Sequence, residues 1–136
     1  MPIRVLAAVI QQNDRLLVCQ RPRHKRHGGL WEFPGGKVKE GESDLEAARR
    51  ELLEELDVHV TEVGPVERSV MDPGSDFVID FLPVRIQGEP RCLEHEALAW
   101  EEEGRLPEYD LAPSDRRYVE ARLEQYGGGW PGLSCF

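Results

Sequence analysis

The apolar positions along the chain follow two periods, and the switches between them predict the order of elements. Residues 3–10 are apolar on both alternating faces, as expected of a central strand covered on each side. Asn13-Asp14 is a turn signal and residues 15–20 read as a partner strand, which predicts an early hairpin with a somewhat longer loop. From Leu45 the period becomes helical, since Leu45, Ala48, Leu52 and Leu56 recur at three- and four-residue steps and make one stripe for a core. Ser43 and Glu46 have the spacing of a reciprocal capping box, so this helix is predicted to start at Asp44.

Residues 58–70 are β-rich with Gly64-Pro65 as punctuation, and residues 72–76 are a turn. Residues 77–86 form the strongest later strand, where Pro83 predicts an edge position or a bulge. A loop carrying Glu94-His95-Glu96 leads back to extended structure at residues 97–100. A last helix opens near Leu111, with Ser114 as expected N-cap and Val119, Leu123 and Tyr126 as its buried stripe. Gly127-Gly128-Gly129 ends it, and residues 127–136 are expected to be a mobile tail. Strands interleaved with two amphipathic helices predict an α/β or α+β fold, and 136 residues suit one domain, expected over residues 1–126.

Composition narrows the function classes. A hydrophobic fraction of 40% with 32% charged residues fits a soluble globular chain, and the longest apolar run is too short to span a bilayer. Met1-Pro2 runs straight into the first strand without a signal-peptide pattern, so a cytoplasmic protein is expected. The cysteines, Cys19, Cys92 and Cys135, have no metal-site spacing; Cys19 is expected to be buried and the others incidental. A formal charge of −9 argues against stable nucleic-acid binding, which depends on Lys and Arg neutralising phosphates. It leaves room for a small polyphosphate that arrives with cations.

The candidate chemistry lies on the first helix. Glu51, Glu54 and Glu55 stand at i, i+3 and i+4, so their carboxylates project from one flank beside the apolar stripe. Like charges at these spacings cost roughly 0.2–0.5 kcal/mol per pair, and acids in a last turn oppose the helix dipole. A hard divalent cation relieves both penalties, whereas an acid-rich face by itself is commonly only solvated. Ahead of the helix, residues 21–29 are the one concentrated basic segment, in which Arg21 is a candidate phosphate contact and His24 and His27 read as solvated.

The spacing from Gly36 through Glu42, Arg50-Glu51-Leu52 and Glu54-Glu55 to Val58 closely resembles the signature box of the Nudix hydrolases. One position departs from it: Asp57 stands where the family usually has glycine, at a left-handed helix cap that Asp adopts at some cost. Residues 29–38 look like the MutT-like branch of that family.

That resemblance implies an α/β/α sandwich with a mixed sheet between the glutamate helix and the last helix. It implies Mg²⁺, with Mn²⁺ as a substitute, held by Glu51, Glu54, Glu55, a carbonyl of Gly35 or Gly36, and Glu94, with Glu96 as the alternative loop acid. Glu51, Glu54 and Glu94 are the expected catalytic carboxylates, the base being Glu51 or Glu94. Arg21, Phe33, Pro34, Gly35, Gly36, Lys37, Val38 and Asp115 are the expected substrate contacts, Asp115 reading the base as an ionised acceptor. Arg50 is expected to point away from the acid flank and to hold the loop and Glu42. The implied reaction takes a (deoxy)nucleoside triphosphate, of the CTP/dCTP or 8-oxo-dGTP kind, to the monophosphate and pyrophosphate. The alternatives are another nucleoside diphosphate derivative, such as ADP-ribose or a dinucleoside polyphosphate, and a silent binding module. No membrane partner is expected, and the chain is expected to be a monomer or homodimer.

Overall fold

In the computed structural model, which describes residues 2–126, two sheets lie between two helices. The first sheet is built on β1 (Ile3–Val9), which runs parallel to β8 (Phe77–Gln87) and antiparallel to β5 (Gly35–Lys37). On the far side of β8 lie β6 (His59–Val63) and β7 (Arg68–Met71), both antiparallel to it. The second sheet centres on β3 (Arg15–Gln20), flanked by β9 (Ala97–Glu102) and by the short strands β2 (Gln11–Gln12) and β4 (Trp31–Glu32).

Side-chain alternation divides the core between the two helices. Leu6, Ala8, Ile10, Leu17 and Cys19 pack with Ala47, Ala48, Leu52 and Leu56 of α1 (Asp44–Leu56). Their neighbours Ala7, Val9, Leu16 and Val18 turn the other way, onto Phe33, Phe81 and the residues Tyr118 and Val119 of α2 (Pro113–Tyr126). A strand covered on both faces is apolar on both, which is why residues 5–10 show no polar alternation. The layers are those of an α/β/α sandwich.

Several local expectations change in the structure. The early hairpin joins β2, not β1, to β3, and its loop is the two-residue Asn13-Asp14 turn, with φ of 50° and 64°. Positive φ at both positions suits the twist of flanking strands. β1 instead pairs with a strand some seventy residues away, Val5 standing opposite Ile79. Pro83 is neither on an edge nor at a bulge. Its strand has partners on both sides, but β7 stops and β6 begins beside it, and the Gly64 amide reaches the Pro83 carbonyl at 2.9 Å. The absent N–H therefore falls where the partner strand changes.

Ser114 is not the N-cap of α2. The helix starts at Pro113, whose missing N–H costs nothing in a first turn, and the Ser114 hydroxyl donates to Asp72 Oδ1 at 2.7 Å. The buried face of α2 includes Tyr118 and Arg122 beside Val119, with Tyr118 stacked on Phe81 at 4.2 Å. The side chain of Tyr126, Cys135 and the expected tail lie outside the described residues. Cys19 is buried and Cys92 exposed.

The ends of α1 follow their local signals. Ser43 Oγ accepts from the Glu46 amide at 3.1 Å while the Glu46 carboxylate accepts from the Ser43 amide at 2.9 Å. Asp57 sits at φ 57°, ψ 42°, a left-handed cap. Glycine adopts that conformation without strain, and the 3.3 Å Asp57–Arg91 pair is too exposed to offset much. Asp57→Gly is therefore expected to stabilise the fold by up to about 1 kcal/mol, read as a higher urea midpoint. A lower midpoint would show that the Arg91 pair outweighs the strain.

Glu103 opens the 3₁₀ turn Glu103–Glu108 that follows β9. Burial pushes its carboxyl up to about 7 from 4.5, and its Oε1 is enclosed without a hydrogen-bond partner. Because the folded value is the higher one, its contribution to stability is intact below pH 4.5 and is lost as pH rises through 7. Glu103→Gln should match the wild type in unfolding free energy near pH 4.5 and exceed it near pH 8 by on the order of 1 kcal/mol after screening by solvent, read from urea midpoints. An offset independent of pH would contradict this.

Candidate active site

The glycine loop and the acid flank of α1 are fitted to each other. A Cβ on Gly35 would collide with the Leu6 carbonyl, and one on Gly36 with the Glu51 carboxyl. Glycine at 35 lets β5 pair with β1, and glycine at 36 lets Glu51 lie against the loop backbone. The Gly35 amide also donates to Glu55 Oε1 at 3.4 Å.

Arg50 locks this arrangement. It grips both oxygens of Glu42 at 2.8 Å, donates to the Lys37 carbonyl at 3.0 Å and reaches Glu51 Oε1 at 2.7 Å. Its fork thus spans loop and helix, and it does not point away from the acid flank as expected. The Arg50 guanidinium, helped by the Lys39 amide, lowers the Glu42 carboxyl to about 2.

Glu51, Glu54, Glu55 and Glu94 line one cleft of about 400 Å³ together with Gly35, Gly36, Arg21 and Lys37. Glu54 and Glu94 are exposed there, while Glu55 is buried. Burial, then the neighbouring carboxylates of Glu32 and Glu51, push the Glu55 carboxyl up to about 9. A cation would remove that cost. Among the described residues no three acidic, His or Cys side chains converge tightly enough to hold a metal by themselves. The all-oxygen donor set fits Mg²⁺, which takes one or two carboxylates and completes its shell with water, backbone oxygen and phosphate.

A second cavity of about 250 Å³ shares Arg21, Glu32, Gly36 and Lys37 with the first and runs past Val5, Phe77 and Ile79 to Asp115. Asp115 is placed there by β4: the Trp31 amide donates to the Asp110 carbonyl at 2.8 Å and the Trp31 carbonyl accepts from the Ala112 amide at 2.8 Å. The start of α2 is thereby sewn to the strand, and Asp115 Oδ1 accepts from the Phe33 amide at 2.9 Å. Its ionisation differs from expectation. The helix dipole favours a carboxylate here, but burial first and Glu32 second push the Asp115 carboxyl well above the ordinary range. This group carries a proton more readily than an exposed Asp.

The remaining expected contacts divide. Arg21 and Lys37 face both cavities, and Arg21 also pairs with Glu32 at 3.0 Å. The Phe33 ring lies in the core, edge-on to Phe81 and Tyr118, so that residue meets the site through its amide. Pro34 is buried with its carbonyl on the Ala8 amide, and Val38 packs against the α1 core; neither lines the two cavities. Glu96, the alternative loop acid, is exposed and lines neither cavity.

Two residues that the sequence pattern did not single out belong to the site. Glu32 lines both cavities, and the His95 side chain, 5% exposed, sits 3.0 Å from its Oε2. The signals were a charged residue inside the aromatic run 30–33 and a histidine directly after Glu94.

The NUDIX domain profile matches residues 1–122. The chain is 38% identical over 122 residues to the CTP pyrophosphohydrolase of Escherichia coli (strain K12), covering 88% of this chain and 90% of that one. It is 36% identical over 118 residues to the putative 8-oxo-dGTP diphosphatase 2 of Mycobacterium tuberculosis (strain ATCC 25618 / H37Rv), covering 85% and 84%. The crystal structure of the MutT Nudix hydrolase from Burkholderia pseudomallei superposes with a TM-score of 0.75 at 30% identity, covering 88% of this chain and 97% of that one. With the family profile spanning both sheets, the glycine loop and the glutamate helix, the chain belongs to the Nudix hydrolase family.

Proposed function

We propose that this protein hydrolyses a (deoxy)nucleoside triphosphate of the cytidine or oxidised-guanine class to the monophosphate and pyrophosphate, with Mg²⁺ or Mn²⁺. The observation that carries the proposal is the adjacency of two cavities that share Arg21, Glu32, Gly36 and Lys37: one is a carboxylate cleft, and the other is a pocket with an apolar wall and a buried carboxyl. The relatives named for CTP and for 8-oxo-dGTP support the substrate class.

Glu51, Glu54, Glu55 and a carbonyl of Gly35 or Gly36 would hold the cations. Bound there, Mg²⁺ draws charge off phosphate oxygens and makes a bound water more acidic. The chain itself supplies position and proton transfer. Arg21 and Lys37 meet the polyphosphate, and Val5, Phe77 and Ile79 wall the base. Glu51 has one oxygen committed to Arg50, whereas Glu94 stands exposed in the cleft, so Glu94 is assigned the role of base toward the attacking water. A panel of CTP, 8-oxo-dGTP, dTTP, ADP-ribose and a dinucleoside polyphosphate, assayed with Mg²⁺, tests the proposal. Preference for either of the first two supports it, and preference for ADP-ribose or the dinucleotide overturns it.

A further inference from the structure

The loop that carries Glu94 is anchored on both sides of it by backbone bonds. The Arg91 and Leu93 amides donate to the Leu56 and Glu55 carbonyls at 2.9 and 3.0 Å, which fastens the loop to the C-terminal end of the glutamate helix. The Glu96 amide donates to the Gln20 carbonyl at 2.9 Å, which fastens it to β3. Between these anchors the two side chains part: Glu94 is exposed in the cleft, and the imidazole of His95 is turned inward.

We infer that His95 is a positioning residue that, through its bond to Glu32, holds the neighbouring Glu94 facing the helix glutamates. The inference rests on the assignment of Glu94 to the reaction. Glu32 takes His95 on Oε2 and Arg21 on Oε1, so one carboxylate ties the acid loop to the basic segment across the cleft. Nδ1 is buried without a hydrogen-bond partner, 3.9 Å from Glu55 Oε1, so the ring is oriented by its bond to Glu32.

The test is a double-mutant cycle between positions 95 and 94, read as kcat and KM separately with folding checked by melting temperature. His95→Leu fills the space without a donor, and His95→Gln keeps a donor within reach of Glu32. His95→Leu is expected to lower kcat about tenfold with KM changed less than about twofold, and His95→Gln to recover most of that loss. Glu94→Gln alone is expected to lower kcat about a hundredfold, and adding His95→Leu to it should change nothing further. If the two losses multiply, or if Gln is as poor as Leu, His95 does not act through Glu94 and the inference is wrong. If Glu94→Gln is as active as the wild type, the assignment of Glu94 itself has failed, and the inference with it.

Discussion

Glu55→Gln is expected to lower turnover at saturating Mg²⁺ by at least about a hundredfold, the scale on which active-site electrostatic groups act, while leaving the fold intact. Glutamine has nearly the same shape and can still accept the Gly35 amide bond, so the change removes charge and little else. Without metal that charge is a burden. Glu55 is buried beside Glu32 and Glu51, and its carboxyl is held up to about 9 by burial and those neighbours. The metal-free variant should therefore melt at a higher temperature than the metal-free wild type, and it should lose most of the gain in melting temperature on adding Mg²⁺. A variant that keeps near-normal activity, or that gains as much stability from Mg²⁺ as the wild type, would remove Glu55 from the site.

Asp115→Asn is expected to lower the kcat/KM ratio of CTP to dTTP by at least about tenfold, within the roughly 1–3 kcal/mol that one paired base edge contributes. Alanine is the poorer choice here, because it would leave the Phe33 amide without its 2.9 Å acceptor. Asparagine keeps that acceptor and must turn its amino group toward the pocket. Where cytosine presents its N4 amino donor, thymine presents the O4 acceptor, so an N–H at this position opposes the first and suits the second. Burial and Glu32 raise the wild-type carboxyl, and an amino donor on the base favours its ionised, accepting form. The ratio is measured on both substrates with both proteins. An equal fall on both would mean that Asp115 only holds Phe33 and the start of α2.

Local chemistry made parts of this molecule legible from sequence, and long-range packing hid the others. The capping box of α1 and the left-handed Asp57 each depend on residues within one helical turn, and both appear as the pattern predicts. The helix flank of glutamates follows from the 100° step alone. The partner of β1 did not follow, because parallel pairing with β8 joins residues far apart in sequence. Pro83 suggests an edge only to a reader who cannot see that β7 gives way to β6 beside it. Ser114 has the chemistry of a cap, but Pro113 takes the first helical position and Asp72 takes the hydroxyl. The raised carboxyl of Asp115 and the inward turn of His95 depend on burial beside Glu32, contributed by β4 from another part of the chain.

The measurement that bears most directly on the proposed reaction is the identity of the products. CTP and 8-oxo-dGTP are each incubated with the wild-type chain, with Mg²⁺ and with excess chelator, and the phosphorus species are quantified by NMR. Equal amounts of nucleoside monophosphate and pyrophosphate, formed with metal and not with chelator, are the predicted result. Diphosphate with orthophosphate, or equal turnover in chelator, would contradict it.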